Sequence, residues 1–378
     1  MKKILYIIDA DQTSGSGKCA LKLIEFASKK NFIPIVITKT QNNLNKYLDK
    51  LHIENYAIHY ASTCSFGMGI LGWFIALMAR PILNFLAVKQ LRNKISLNDV
   101  AIVHSNSSTI DFGAYLHKKY SIPHIWHIRE FLVFEKQLKP IIFNLPSYIQ
   151  KNSTTTITVS NKLKNFISSK ADFGKIETIY DGIPTTFTSN KTKKNNDILK
   201  IVCIGNYAQL KGQDIVLEAL HLLKNEYLEK ISIDFYGNNL EHIKEYLFQL
   251  VKKYSLEKKV HIHDFIENVQ TKLVDYDIGI QPSHSEGFSL VTAEYMIAGL
   301  CVIGNGDTAI AELIEHKKTG LLYNDYNIQK LADYIVFCIR NRDKAREMGK
   351  KAQKFAVNNF SLNNNFEKLS KIYEQIIK

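Results

Sequence analysis

Two glutamates near the start of a helical pattern are the residues best suited to chemistry in this chain. In the segment SHSEGFSLVTAEYMIAGLCVIGN, Glu286 precedes Gly287, and seven residues separate Glu286 from Glu294. The glycine lets a ligand approach the backbone. Glu294 lies about two turns into the helix and can accept hydrogen bonds from vicinal hydroxyls such as a ribose diol. Glu286 can do the same for a sugar ring. The first helix amides lack intrahelical partners and can bind a diphosphate; they belong to Phe288, Ser289 and Leu290.

A lysine stands in a similar turn 75 residues before Glu286. The segment IVCIGNYAQLKGQDIVLEAL predicts a strand, a glycine turn, Lys211-Gly212 and an amphipathic helix. A lysine at the end of a strand can neutralise phosphate charge. Between the two segments, the pattern predicts a strand, a helix and another strand, which ends at Phe265 and Ile266.

A third polar cluster follows an apolar strand in the first half of the chain. The segment HIWHIREF places His127, Arg129 and Glu130 at the carboxyl end of that strand. In doubly wound sheets, ligands bind beyond the carboxyl ends of the strands. His104 and His284 also stand near strand ends, but we interpret both as ordinary structural residues.

The segment IDADQTSGSGKCAL carries two apparent nucleotide motifs that do not fit. A phosphate-binding loop needs a glycine at position 12 and a Ser or Thr at 19, where this chain has Gln12 and Cys19. The acidic pair Asp9 and Asp11 ends the first strand, far from the predicted nucleotide site. A strand-to-helix turn opened by two glycines remains; they are Gly15 and Gly17.

Alternating strands and helices predict an α/β chain with parallel sheets. Two series of continuous apolar strands imply two Rossmann-like, doubly wound domains facing each other across a cleft. We expect an N-terminal domain over 1–185 and a C-terminal domain over 186–359. The boundary lies in a Thr-, Asn- and Lys-rich linker at about 185–197. A last amphipathic helix within 360–378 is expected to pack back on the first domain.

Net charge separates the two halves. Residues 1–185 hold 23 Lys and Arg against 12 Asp and Glu, or +11, whereas residues 186–378 hold 26 against 24, or +2. The basic half suggests an anionic partner, such as nucleic acid, a membrane surface or a phosphorylated acceptor. A nucleic-acid-binding protein would need basic and aromatic residues interleaved on a recognisable module, which the sequence lacks. Five widely spaced cysteines form no zinc motif and suit a reducing compartment.

An uncharged run of 14 residues, Phe66 to Ala79, is followed by Arg80-Pro81. A membrane-spanning helix needs about 20 apolar residues, and we expect the proline to end this one. The run therefore predicts a buried or interfacial helix and leaves peripheral membrane contact open.

These motifs and their order resemble the retaining glycosyltransferases of family 4, which have the GT-B fold. The resemblance rests on E-x7-E, on AGLCVIGN and ELIEHKKTGLLY after it, and on the strand, glycine turn and Lys-Gly before it. It extends to the H-x-R-E of bacterial polysaccharide-assembling members. One departure is Asn206, which stands where family members usually carry an arginine; Arg129 or another basic residue would have to compensate.

The resemblance implies roles for these residues. The C-terminal domain would bind a nucleotide-sugar donor, with Lys211 on its phosphates and the backbone at Phe265 and Ile266 beside the base. His127 would face the transferred sugar, Arg129 and Glu130 would bind the acceptor, and Glu130 would orient the acceptor hydroxyl. The turn at Gly15 and Gly17 would contact the donor phosphates or the acceptor.

The expected activity is transfer from a nucleotide-sugar, with a UDP-sugar favoured, to a glycan acceptor such as a polyprenyl-diphosphate-linked one. No cofactor or metal is expected, and we predict a cytoplasmic enzyme that contacts an anionic membrane surface and binds no nucleic acid. The alternatives are a nucleotide-sugar epimerase, which needs no acceptor, and a soluble glycan synthase.

Overall fold

The computed structural model describes residues 2–11, 14–66, 69–131, 138–172, 174–185, 197–240 and 242–378. The chain divides into two compact units: unit 1 comprises 1–182 and 363–378, and unit 2 comprises 183–362. Most of the predicted linker, residues 186–196, lies outside the described residues. The last residues of the chain therefore group with unit 1.

Unit 1 contains a seven-stranded parallel sheet in the order β3-β2-β1-β5-β6-β8-β9 and a separate antiparallel pair, β4-β7. Its strands are β1 Lys2–Ile8, β2 Phe32–Thr38, β3 Asn55–Ala57, β4 Cys64–Phe66, β5 Val100–Ser105, β6 His124–Ile128, β7 Leu138–Pro140, β8 Thr155–Thr158 and β9 Ile176–Thr178. Its helices are α1 Gly15–Lys29, α2 Asn43–Lys50, α3 Ile70–Arg92, α4 Phe112–Tyr120, α5 Leu145–Lys151 and α6 Asn161–Ser168.

Unit 2 contains a six-stranded parallel sheet in the order β12-β11-β10-β13-β14-β15. Its strands are β10 Leu199–Ile204, β11 Ile231–Tyr236, β12 Val260–His263, β13 Ile278–Gln281, β14 Cys301–Asn305 and β15 Gly320–Tyr323. Its helices are α7 Gln213–His221, α8 Asn225–Leu228, α9 Ile243–Lys253, α10 Leu290–Ile297, α11 Ile328–Arg340 and α12 Arg342–Phe360. The final helix, α13, runs Leu362–Ile377.

The central strands of both sheets are buried on both faces, which is why they read as continuous apolar runs. In β1, every residue from Ile4 to Ile8 is buried, and in β14 the same holds for all five residues. Helices cover both faces of each sheet in this architecture. The predicted α/β class with two doubly wound parallel sheets is confirmed.

Strand order reverses once in each sheet. In unit 1 the chain moves from β1 outward to β3, then returns to β5 on the other side of β1. In unit 2 it moves from β10 outward to β12, then returns to β13 beside β10. The loops that follow the two central strands diverge at such a point and leave a crevice. In unit 2 these loops carry Lys211 and Glu286, and in unit 1 they include the segment that begins at Asp9 and the residues after Ser105.

Helix α3 differs from its prediction. The helix continues through Pro81 to Arg92, so the expectation that the proline ends it is wrong. Most of the large apolar residues of α3 are exposed, which excludes the buried one of the two expected alternatives and leaves the interfacial one a prediction. A proline removes only one intrahelical hydrogen bond. Side chains on both sides of it, Trp73 and Asn84, hydrogen-bond to the rest of unit 1 and hold the helix in place. Among the described residues, α3 alone is long and apolar enough to cross a membrane by length and composition.

The start of α1 depends on a glycine that packs against backbone. A Cβ added at Gly17 would lie 1.9 Å from the carbonyl oxygen of Asp11. We expect Gly17→Ala to lower the free energy of unfolding of unit 1 by about 1–3 kcal/mol, because overpacking forces the backbone to shift. Both tryptophans belong to unit 1, so thermal unfolding followed by their fluorescence is the measurement.

Gly69→Ala is the matched control, because nothing lies within 4 Å of a Cβ added there. Equal melting temperatures for the Gly17 and Gly69 variants would show that the turn at Asp11 relaxes without cost.

Candidate active site

The crevice of unit 2 holds an ion pair between the loops after β10 and β13. Lys211 Nζ lies 2.8 Å from Glu286 Oε1, and Gln281 Nε2 donates to the same oxygen at 3.2 Å. Glu286 keeps 13% of its side chain exposed and Lys211 keeps 31%, so both charged ends remain accessible. The sequence prediction named the lysine and the glutamate separately; the structure brings them together.

Backbone contacts hold these two loops side by side. The amide of His284 donates to the carbonyl of Leu210 at 2.9 Å. Gly212 has a φ of +66°, and a Cβ there would lie 2.7 Å from the carbonyl oxygen of Pro282. A glycine is therefore required after Lys211, both for the left-handed backbone and for the close approach of the β13 loop.

The helix α10 begins where the prediction placed it, at Leu290, after Gly287 and Phe288, both of which are buried. Ser289 has a left-handed backbone, and its hydroxyl lies 2.9 Å from Thr292 Oγ1. The side chain of the N-cap residue, Ser289, makes no capping hydrogen bond to the helix. The helix start therefore presents backbone N–H groups and the positive end of the dipole beside the crevice, an arrangement that favours an anion.

Glu294 lies about one turn into α10 instead of the two turns expected, because the regular helix begins only at Leu290, and its side chain is half-buried. Gln270 Nε2 donates to Glu294 Oε1 at 2.8 Å. This amide orients the carboxylate. The sequence carried no signal for Gln270, because it belongs to a 3-10 turn, Val269–Asp275, outside the predicted strands.

A buried tyrosine fixes α10 on the sheet. The hydroxyl of Tyr295 accepts a hydrogen bond from the amide of Ile204, at the end of β10, at 2.6 Å. A Cβ at Gly279 would lie 2.3 Å from the Tyr295 ring, so β13 needs a glycine opposite it. Sequence analysis missed Tyr295, which positions Glu294 through the helix they share.

The other residues of unit 2 predicted to bind the nucleotide-sugar donor lie outside the ion pair of Lys211 and Glu286. Asn206 is exposed, and its backbone carbonyl accepts from Gln213 Nε2 at 3.0 Å. Phe265 and Ile266 are half-buried and follow β12, the edge strand on that side. Their contacts to a nucleotide stay predictions.

In unit 1, His127 ends a chain of buried hydrogen bonds. His127 Nδ1 lies 3.3 Å from His104 Nε2, and His104 Nδ1 lies 2.7 Å from the hydroxyl of Tyr373 on α13. His127 Nε2 is buried and has no hydrogen-bond partner in the described part of the chain. A buried polar atom without a partner is uncommon in native structures and needs one, such as an ordered water or a ligand atom. His104, which the sequence analysis interpreted as an ordinary structural residue, is therefore the middle member of this series of hydrogen bonds.

Burial keeps these imidazoles neutral. Desolvation lowers the pKa of His104 and His127 well below 6.5, and the nearby Arg129 guanidinium lowers both further. Desolvation also lowers the pKa of His124, on the same strand, to about 3. Neutral His127 can either donate or accept through Nε2, and the tautomer of His104 decides which.

The two residues predicted to bind acceptor are held by internal contacts. Arg129 forms a buried ion pair with Asp181 and donates to Asn106 Oδ1 at 2.8 Å. Glu130 Oε1 accepts from Ser107 Oγ at 2.7 Å and from the amide of Ser108 at 2.9 Å. Arg129 therefore has little freedom to reach a ligand, and its acceptor-binding role stays a prediction.

The glycine turn before α1 is also held by contacts within the protein. Ser14 caps the helix by accepting from the amide of Gly17 at 3.1 Å, so this amide is already used. Gly15 is the first residue of the helix. The structure gives Gly17 a packing role, and the predicted contact of this turn with donor phosphates stays a prediction.

Within the described ranges, no three His, Cys, Asp or Glu side chains lie close enough to hold a metal ion. The expectation of a metal-independent reaction stays a prediction.

Comparison with known proteins identifies the family. Residues 184–355 match the model of glycosyl transferases group 1, and residues 23–187 match that of glycosyltransferase family 4. The chain belongs to the family 4-like glycosyltransferases. Its fold agrees, because Anabaena HepE, solved in complex with UDP and glucose, superposes with a TM-score of 0.80 at 18% identity over 99% of this chain and 100% of that one. Staphylococcus aureus TarM gives a TM-score of 0.74 at 14% identity, with 99% of each chain covered.

Curated relatives of this glycosyltransferase are distant. A poly(ribitol-phosphate) alpha-N-acetylglucosaminyltransferase of Staphylococcus aureus is 26% identical over 66% of the chain, and an N-acetyl-alpha-D-glucosaminyl L-malate synthase of Bacillus anthracis is 25% identical over 63%. The matched region spans 50% and 64% of these relatives' own length. An Escherichia coli O-antigen biosynthesis glycosyltransferase, WclY, is 31% identical over 36% of each chain.

The buried imidazoles generate a prediction about pH. Below about 6.5 the unfolded chain protonates His104, His124 and His127, whereas the folded chain keeps them neutral, so the unfolded state binds more protons. The free energy of unfolding of unit 1 should therefore fall as pH drops from 7.5 to 5.5, by up to about 1.4 kcal/mol per pH unit for each histidine below pH 6.5.

Denaturant unfolding followed by tryptophan fluorescence measures this, because both tryptophans lie in unit 1. A midpoint that stays constant over this range would show that the three histidines are protonated in the folded state.

The series of hydrogen bonds from Tyr373 through His104 to His127 generates a second prediction. We expect Tyr373→Phe to lower kcat roughly three- to tenfold, about the worth of one hydrogen bond, with little change in the KM for the donor. Tyr334→Phe is the matched control, because that tyrosine also contacts a histidine, His316, but in unit 2. An equal loss of kcat in both variants, or an effect on donor KM alone, would argue against a positioning role for Tyr373.

Proposed function

We propose that the protein transfers a sugar from a nucleotide-sugar to a glycan acceptor in bacterial cell-surface polysaccharide biosynthesis, with retention of anomeric configuration. The observation that carries the proposal is the crevice of unit 2, where Lys211 and Glu286 form an ion pair beside the start of α10. A cation and a helix N-terminus together favour a diphosphate. The distant relatives named for acetylglucosaminyl transfer and O-antigen biosynthesis support the same class of reaction.

The donor is proposed to be a UDP-sugar bound by unit 2. Glu294 would accept hydrogen bonds from the ribose hydroxyls, held in orientation by Gln270. The backbone at Phe265 and Ile266 would lie beside the base. The complexes of HepE with UDP and with UDP-glucose support UDP over other nucleotides, since that protein shares the fold.

Catalysis would depend on charge that develops on the leaving diphosphate. When the anomeric C–O bond breaks, its electron pair goes to the phosphate oxygen, and the negative charge there grows. Lys211 Nζ and the first amides of α10 are aimed at one crevice and would stabilise that charge in the transition state. Glu286 holds the lysine in place and can accept hydrogen bonds from the hydroxyls of the transferred sugar.

Retention would follow from attack on the same face that the leaving group departs from, with the leaving phosphate taking the proton of the acceptor hydroxyl. No group of the protein then has to act as nucleophile or base. His127, with its unpartnered Nε2, would hydrogen-bond the sugar or its phosphate, and Glu130 would orient the acceptor.

The acceptor is proposed to be a glycan on a polyprenyl diphosphate. The net charge of +11 over residues 1–185 supports an anionic acceptor and an anionic membrane surface near unit 1. A cytoplasmic position on the inner face of the membrane follows from that acceptor.

Two substitutions test the donor site. We expect Glu294→Ala to abolish the rise in melting temperature that a UDP-sugar produces, because the ribose hydroxyls lose the carboxylate that accepts their hydrogen bonds. We expect Lys211→Ala to lower kcat roughly 100-fold or more, the usual cost of removing one group that stabilises developing charge. A thermal-shift screen across UDP-, GDP- and ADP-sugars identifies the donor first, and product assays with that donor follow.

Glu257→Ala and Lys258→Ala are the matched controls, since both residues are exposed in unit 2 and stand outside the crevice loops. Full activity in both site variants, or no thermal shift of the unmodified protein with any nucleotide-sugar, would overturn the proposal. Turnover of UDP-N-acetylglucosamine without an acceptor would instead indicate an epimerase.

A further inference from the structure

Helix α3 has its polar and apolar sides reversed relative to a soluble surface helix. The side that faces unit 1 carries Arg80 and Asn84, together with a short apolar strip that ends at Leu91. The outward side carries large apolar side chains, which we name the apolar face of α3; its members are Ile70, Leu71, Phe74, Ile75, Met78 and Ile82, continued by Phe85 and Leu86. A surface helix normally buries its apolar stripe.

The buried polar side is fixed by specific contacts. Asn84 Nδ2 donates to Asp111 Oδ2 at 2.7 Å, and Arg80 lies 3.2 Å from Asp111 Oδ1. At the start of the helix, Trp73 Nε1 donates to the carbonyl of Pro140 at 3.0 Å. These contacts attach α3 along its side to unit 1. The helix therefore lies flat on the surface, and to span a membrane it would have to break the partly buried ion pair with Asp111 and carry Arg80 into lipid.

The exposure of the apolar face is large. Ile70 is 80% exposed and Met78 is 71% exposed, and they lie on a face whose members recur every three or four residues. Phe143, three residues after the Pro140 that binds Trp73, is 91% exposed. Contiguous exposed apolar surface of this kind marks a site of interaction with a protein or a membrane.

The charges around this face select the partner. From residue 69 to residue 94 the chain has no Asp or Glu, and its exposed cations are Lys89, Arg92 and Lys94. Lys119 lies with its Nζ 5.0 Å from the ring of Phe85, at the edge of the face. A second copy docked by the same face would bring like charges together, whereas an anionic lipid surface complements them.

We propose that the apolar face of α3, together with Phe143, inserts into the interfacial region of an anionic bilayer and holds unit 1 on the membrane. Lys89, Arg92 and Lys119 contact lipid headgroups at the margin. Membrane contact by this face extends the proposed function, because a lipid-linked acceptor is presented at a membrane surface. The biological purpose of the contact rests on that proposed function. The docking surface itself involves no residue of the candidate active site.

Flotation of the full-length protein with vesicles tests the proposal without any sugar substrate. The protein should bind vesicles of phosphatidylcholine with about 30 mol% phosphatidylglycerol, bind pure phosphatidylcholine more weakly, and lose affinity as salt rises. The double variant Phe74→Glu with Met78→Glu should bind roughly tenfold more weakly or worse. The matched control is Phe248→Glu with Leu222→Glu, which changes two residues of unit 2 that are each 50% exposed.

Brominated lipids provide a second readout on the unmodified protein. Trp126 is fully buried, so quenching of tryptophan fluorescence by lipid would report Trp73 on α3, and Trp73→Phe should remove it. The absence of vesicle binding or of quenching would overturn the proposal. A lipid-free dimer that the double variant converts to a monomer would show that a second copy covers the face, and resistance to alkaline carbonate extraction would show a spanning helix.

Failure here is separable from failure of the proposed function. If the double variant still transfers sugar to a soluble acceptor while the unmodified protein does not bind vesicles, only the proposed docking surface is overturned. If the protein binds vesicles but no nucleotide-sugar shifts its melting temperature, the donor assignment is wrong and the docking surface stands.

Discussion

The reversal of strand order beside β10 is the constraint on which the candidate site depends. Because β10 and β13 are neighbours while their following helices diverge, the two loops beyond them face each other with no helix between. Lys211 and Glu286, 75 residues apart in sequence, meet there. The packing of Gly212 against Pro282 and of Gly279 against Tyr295 sets the distance between the loops, so Lys211 and Glu286 are placed by contacts that involve neither of their charged groups.

Unit 1 buries many polar groups and pairs them with one another. Arg129 and Asp181 form a buried pair, Asp111 receives bonds from three side chains, and the histidine chain has no charge at neutral pH. Removing one member of a buried pair leaves an uncompensated charge and costs several kcal/mol. Burial raises the pKa of Asp111, and Arg80, Tyr148 and Asn84 oppose that rise. Such networks make the local geometry rigid, which suits residues that have to orient a ligand.

The sequence predicted those parts whose signal is local. The order of strand, glycine turn, Lys211-Gly212 and helix was predicted and is observed as β10 and α7, because a continuous apolar run and an amphipathic period are local signals. The short edge strands β3 and β15 and the pair β4-β7 were missed, since segments of three or four residues are too short to show a period. The amphipathic helix predicted after Gly212 is interrupted at Leu222 to Lys224, and that break was also missed. Tyr373 is 269 residues from His104, and no local pattern connects them.

One loop of unit 1 joins the candidate acceptor residues to the apolar face of α3. Ser107 and Ser108 hold the carboxylate of Glu130, and Asp111, at the other end of the same loop, holds Arg80 and Asn84 of α3. Both sets of contacts lie in one unit, so a membrane that fixes α3 also fixes the position of Glu130 relative to the bilayer. An acceptor that reaches the enzyme from the lipid surface then meets a site of defined orientation. The polar groups on the inner side of α3 therefore connect the proposed docking surface with the proposed acceptor site, which the sequence presents as unrelated segments.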